Sequence, residues 1–202
     1  NAAPAIDLRE VWDFLARRRG MIDGIVVTGG EPTIHPALIP FLQEARRRGL
    51  CIKLDTNGYR PDVLGELLAG SLVDYVAMDV KAPPEKYALL AGVPELELTR
   101  IEASMQALRQ AGIGYEFRTT VAPALLQEED IPRIAEWIQG APLYALQQFQ
   151  PERALDPALG AGVRAGGRLP PHLRARPGAG HDDADPRRPD ARQPPTRAHL
   201  RR

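Results

Sequence analysis

The sequence predicts an α/β protein built on a parallel sheet with helices outside it. Short apolar runs of strand length alternate with amphipathic runs of helix length, in the order β, α, β, α, as far as about residue 149. Several strand runs are near-continuously apolar, which is the pattern of strands buried on both faces. Right-handed crossovers then place every C-terminal strand end on one rim, and that is where α/β folds bind their ligands.

Asn1 to Ile6 is irregular, and Asp7 is placed to cap a helix through Val11, Trp12, Phe14 and Leu15 that ends at Gly20. The first strand covers residues 25–28 and stops at Gly29-Gly30-Glu31-Pro32, where Pro32 forbids continuation of the ladder. Pro36 suits the first turn of a helix carrying Leu38, Ile39, Phe41, Leu42 and Ala45, closed by Gly49. A second strand begins at Cys51 and closes on Asp55-Thr56-Asn57-Gly58, followed by a helix through Val63, Leu64, Leu67 and Leu68. The run Val73 to Lys81 is the third strand and leads into Ala82-Pro83-Pro84, after which a longer helix covers Leu98 to Ala111. Tyr115 to Val121 is the fourth strand, residues 131–138 form a helix, and Tyr144 to Phe149 is the fifth strand.

Charge is balanced, with 26 basic and 26 acidic residues, so composition points to no nucleic-acid partner. The absence of a long apolar span gives no membrane partner and a cytoplasmic expectation. Cys51 is the single cysteine, too few for a disulfide framework or an iron–sulfur cluster, and is expected to be a small buried thiol. After Asp156 the composition turns to Ala, Arg, Pro and Gly, with no Ile, Phe, Tyr, Trp, Lys or Glu. The expected organisation is a folded unit over 1–157 and a disordered tail over 158–202. The tail reads either as a natural basic, Pro-rich extension or, in the favoured reading, as the product of a reading-frame shift.

Four successive strand ends carry polar residues: Gly29, Gly30 and Glu31; Asp55, Thr56 and Asn57; Asp79 and Lys81; Arg118, Thr119 and Thr120. Each has a plain structural reading. Asp55 and Asn57 are common turn formers, Asp79 and Lys81 would make a weak surface pair, and Arg118 could be an edge charge. Together on one rim they suit a zwitterion, with Glu31 and backbone carbonyls for an ammonium and Lys81 and Arg118 for a carboxylate. Glu31 argues against a phosphate loop at this glycine turn. Asp55 and Asp79, on neighbouring strands, would repel unless a cation or hydroxyl lies between them.

The ordered set TGGEP, LDTNG, AMDVKAPPEKY, FRTTV and LQQFQPER resembles radical S-adenosylmethionine enzymes over residues 7–157. More narrowly, it resembles the glycyl-radical-enzyme activases, in particular those serving anaerobic ribonucleoside-triphosphate reductase. The resemblance implies a partial TIM-like (β/α)6 barrel of parallel strands, with the first strand and the CxxxCxxC cluster loop not represented. It implies that Gly29, Gly30 and Glu31 bind the methionyl amino group of S-adenosylmethionine. Asp55, Thr56 and Asn57 would contact the ribose or methionyl side, and Lys81 and Arg118 the carboxylate or ribose. Asp55, Thr56 and Asp79 would hold a monovalent cation. The implied reaction uses one electron from a [4Fe-4S] cluster, supplied by a donor such as flavodoxin or ferredoxin. A 5′-deoxyadenosyl radical then abstracts a glycine hydrogen from the partner enzyme. Cys51 matches no cluster position, so this chain is expected to be inactive alone. Two other functions compete: a non-catalytic domain binding a small zwitterion or a partner protein, and an α/β lyase using Lys81 as a Schiff-base amine.

Overall fold

A computed structural model describes residues 6–150, so the tail expected over 158–202 lies outside the described residues. Five strands, β1 (Gly24–Val27), β2 (Cys51–Thr56), β3 (Tyr75–Asp79), β4 (Gly114–Val121) and β5 (Tyr144–Gln148), form one sheet in chain order. Every neighbouring pair is parallel, with Val27 opposite Leu54, Thr56 opposite Met78, and Asp79 opposite Arg118. When parallel strands follow chain order, right-handed crossovers put all connecting helices on the same face. The result is an open, partial TIM-like sheet rather than a doubly wound one.

The strands show this one-sidedness in their side chains. Along β2, Ile52, Leu54 and Thr56 are buried while Cys51, Lys53 and Asp55 are only half-buried. Near-continuous apolar strands were expected; β2 alternates instead, one side chain in two meeting the helix layer, whereas β3 buries Val76, Ala77 and Met78 in succession. Ile52, Leu54, Val76, Met78, Tyr115 and Phe117 meet the helices in one core. The opposite face carries Lys53, Asp55, Tyr75, Asp79, Glu116 and Arg118, the partners in register across β2, β3 and β4. Cys51 also falls on that face and is half-buried rather than enclosed.

The helices are α1 (Leu8–Arg17), α2 (Leu38–Arg47), α3 (Pro61–Ala69), α4 (Pro84–Ala91), α5 (Leu98–Gln110) and α6 (Asp130–Trp137). Asp7 caps α1 as expected, its Oδ1 accepting the Arg9 N–H at 2.8 Å. α4 was not expected, since Pro83-Pro84 reads as a breaker. Pro84 instead takes the first helical position, where its fixed φ fits and its missing N–H costs nothing, and Gly92 closes the helix at φ 69°. No helix among the described residues is long and apolar enough to cross a membrane.

α4 is clasped to α6 by two ion pairs, Lys86 to Asp130 and Glu85 to Arg133, and by Tyr87 packed edge-on to Trp137. Asp130 is 1% exposed. Burial pushes its carboxyl up, but the Lys86 ammonium and the Gln127 N–H outweigh that and hold it below the ordinary carboxylate value. Its stabilisation is therefore complete above the unfolded-state value of about 3.9 and is lost as the pH falls through the lower folded value. Asp130→Asn should flatten the acid limb of a urea-melt stability profile below about pH 4. An unchanged acid limb would show that the pair contributes nothing.

Candidate functional site

Each candidate residue is delivered to the rim by a strand end. β1 delivers Gly29, Gly30 and Glu31, β2 delivers Asp55, Thr56 and Asn57, β3 delivers Asp79 and Lys81, and β4 delivers Arg118. They include two hydrogen-bonded groups and, among the described residues, one cation without an ion pair.

The first group closes around Glu31. Its Oε1 accepts from Thr33 Oγ1 at 2.5 Å, Thr33 N at 3.2 Å and Thr56 Oγ1 at 2.7 Å, and its Oε2 accepts from the Asn57 N–H at 2.6 Å. Glu31 thus caps the short 3-10 helix Pro32–Ile34 and ties the β1 turn to the β2 turn. Thr33 is a participant that the sequence reading passed over; its signal is its place two residues after the capping Glu31, across Pro32. Gly29 has φ 133°, a conformation closed to other residues without strain, while a Cβ on Gly30 would point into open space.

The second group lies on the charged face. The Arg118 guanidinium reaches Asp79 Oδ1 at 3.0 and 2.9 Å and Asp55 Oδ2 at 3.2 Å. Arg118 thus supplies a cation between the two aspartates. Burial alone would push the guanidinium pKa down; Asp79 and Asp55 outweigh it and hold it above its ordinary value. Asp55 Oδ1 is buried with no hydrogen-bond partner among the described residues. A buried carboxylate oxygen left without a partner is costly, and the rim carries that cost.

Below this group on the same face, Lys53 bonds Glu116 at 3.0 Å, and Glu116 also accepts from Tyr75 OH at 3.4 Å. Burial, then Glu116, push the Tyr75 phenol up to about 12, so it stays a neutral donor. Ala77, fully buried between these charged layers, leaves room for both bridges to cross β3. This lower layer was not anticipated, because none of its residues stands at a C-terminal strand end.

Lys81 is exposed, and its ammonium has no ion-pair partner among the described residues. It stands on the ridge between two cavities. One, of about 160 Å³, is lined by Asp79, Arg118, Thr120 and the apolar Leu125, Leu126 and Phe149. The other, of about 130 Å³, is lined by Asn57, Tyr59, Tyr87 and Leu96 among others. No cluster of three or more metal-ligating His, Cys, Asp or Glu occurs among the described residues.

Arg118→Gln should strip the largely buried Asp55 and the part-exposed Asp79 of their counter-charge. The side chains of Arg118 and Asp55 are 13% and 17% exposed, so the cost should approach the buried-pair range, about 3 kcal/mol by urea titration. A loss under about 1 kcal/mol would mean that water screens the pair as at a surface.

The Radical SAM superfamily model matches residues 4–138. A relative from Methanocaldococcus jannaschii, named "Putative glycyl-radical enzyme activating enzyme MJ1227", is 39% identical over 138 residues, covering 66% of this chain and 58% of that protein. The chain thus spans somewhat over half the length of this relative. A 7-carboxy-7-deazaguanine synthase from Neisseria meningitidis serogroup B is 41% identical over 58 residues, 29% of this chain and 24% of that one. Among solved structures, Streptococcus suis SuiB bound to precursor peptide SuiA has a TM-score of 0.58 at 11% identity, covering 75% of this chain and 34% of that chain. At that identity the likeness is one of fold. With the singly wound sheet, the polar strand-end rim and a family match over most of the described residues, this chain belongs to the Radical SAM superfamily.

Proposed function

We propose that the chain forms the barrel portion of a radical S-adenosylmethionine activase, which installs a glycyl radical on a partner enzyme. The observation that carries this reading is the 39% identity over 138 residues to a relative named for that activity. The motif set GGEP, LDTNG, MDVKAPPEKY and FRTTV supports anaerobic ribonucleoside-triphosphate reductase as the partner. An electron donor such as flavodoxin or ferredoxin and a cytoplasmic setting go with this reading.

S-adenosylmethionine, when bound and reduced by one electron, supplies a hydrogen-abstracting 5′-deoxyadenosyl radical. The chain's own residues bind and orient it. Glu31, Asp55 and Asp79 against Lys81 and Arg118 leave the rim one negative charge, which complements a ligand carrying an ammonium, a sulfonium and one carboxylate. Carbonyls of the Gly29–Gly30 turn and the remaining capacity of Glu31 Oε2 would take the ammonium. Lys81, with no competing ion pair among the described residues, would take the carboxylate, with Arg118 behind it. Asp55, Thr56 and Asn57 would face the ribose or methionyl side. The open Asp55 Oδ1 suits a ribose hydroxyl or a monovalent cation shared with Thr56 and Asp79.

The residues present do not fit a [4Fe-4S] cluster. One cysteine cannot ligate it, and Cys51 sits at the start of β2, at the opposite end of the sheet from the rim. A non-catalytic zwitterion-binding domain is the reading this favours as the alternative.

The full-length protein, with its cluster assembled anaerobically, should yield 5′-deoxyadenosine under dithionite and a glycyl-radical electron paramagnetic resonance signal on the reductase. The 202-residue chain alone should yield neither and should bind S-adenosylmethionine only at about millimolar concentration. Lys81→Met should weaken cofactor binding by the full-length protein about tenfold, as loss of one charge-assisted contact does. A cluster-loaded protein that makes no 5′-deoxyadenosine would favour the binding-domain alternative.

A further inference from the structure

Ser104 is a hydroxyl on the buried face of α5, among Ile101, Met105 and Leu108, and is fully enclosed. A serine inside a helix often returns its proton to its own preceding turn. This one instead donates across to the Gly58 carbonyl at 2.6 Å, 46 residues away in sequence. Gly58 is held from its other side too. It has φ 73°, and a Cβ there would overlap the Met78 side chain.

The bonds continue toward the rim with a fixed direction. The Gly58 N–H donates to Thr56 Oγ1 at 3.1 Å, so the Thr56 proton is free to go to Glu31 Oε1 at 2.7 Å. The next N–H along the same turn, that of Asn57, donates to Glu31 Oε2 at 2.6 Å. The Asn57 side chain is itself tied into the turn, its Oδ1 accepting the Tyr59 N–H at 2.9 Å. Both oxygens of Glu31 are therefore aimed by a turn whose carbonyl is fixed from α5, and Glu31 directly follows Gly29–Gly30.

We propose that Ser104 is a positioning residue for the cofactor turn. Through the Gly58 carbonyl it sets the Asn57 N–H and the Thr56 hydroxyl, and through them the Glu31 carboxylate and the glycine turn beside it. The functional half of this assignment rests on the activase reading above, whereas the geometric half does not. A serine that merely satisfied a buried carbonyl would stabilise the fold without governing Glu31. Thr119 supplies that comparison, since its fully buried hydroxyl donates to the Val80 carbonyl at the same 2.6 Å without touching the β1 or β2 turn.

The test is amide nuclear magnetic resonance on the unliganded chain. The Asn57 amide proton should lie far downfield, as a short bond to a carboxylate makes it. In Ser104→Ala it should move upfield and exchange about tenfold faster, the loss of one net hydrogen bond, while Thr119→Val leaves it in place. An Asn57 resonance unmoved in Ser104→Ala, or moved equally by both variants, overturns the proposal. Should Ser104→Ala not fold, the unaltered chain decides. Asn57 should be protected in step with the α5 amides, and exchange as fast as Gly30 overturns it. In the full-length protein, Ser104→Ala should also weaken S-adenosylmethionine about tenfold. No change there, with Asn57 displaced, overturns the functional half alone.

Discussion

The Arg118 guanidinium is the constraint on which the open face of the sheet depends. Three charged side chains from adjacent strands, Asp55, Asp79 and Arg118, project from the face that no helix among the described residues covers. Two carboxylates there without a cation between them would force β2 and β3 apart or drive one carboxylate to protonate. One planar fork that reaches both removes the conflict and locks three strands at their C-terminal ends. It leaves one carboxylate oxygen unpartnered, so the rim is balanced for holding the sheet together but not saturated as a site.

The order of the strands explains why the charge can be there at all. A sheet wound in one direction has a helix-covered face and a bare one, and the bare face must be polar to remain hydrated. Lys53 and Glu116 pair in the middle of that face with Tyr75 donating to Glu116, while Arg118 offsets one of the two charges of Asp55 and Asp79 at its rim. On the covered face, burial of Leu54, Met78, Phe117 and their helix partners stabilises by about 1.5–3 kcal/mol per side chain. Among the described residues, the groups still unspent at the rim are the Lys81 ammonium, the turn at Gly29–Gly30 and Asp55 Oδ1.

Much of this was legible in the sequence because strand ends announce themselves. Apolar runs that stop at GGEP, DTNG and DVK place their polar residues on one rim whatever the detailed twist of the sheet. What could not be read is where charges meet. Glu31 looked free for a ligand, yet its oxygens are engaged by Thr33, Thr56 and Asn57, partners fixed only when β1 and β2 pair. The alternation along β2 was visible as Lys53 and Asp55, but its meaning, a single helix layer, depends on strand order. α4 was hidden by Pro83-Pro84, since the same residue that breaks a helix interior opens a helix at its first position. Ser104 gave no signal, because nothing in a helical pattern says that a hydroxyl will cross to a turn 46 residues away.

We propose that these strand ends form one site for the methionyl part of S-adenosylmethionine. Titrating the isotope-labelled chain with S-adenosylmethionine, and following its backbone and arginine side-chain resonances, tests this most directly, because weak binding is still visible residue by residue. The account predicts shifts concentrated at Gly29, Gly30, Asn57, Asp79, Lys81 and the Arg118 guanidinium, with α1 and the start of β2 unmoved. Shifts centred elsewhere, or none at millimolar ligand, would contradict it.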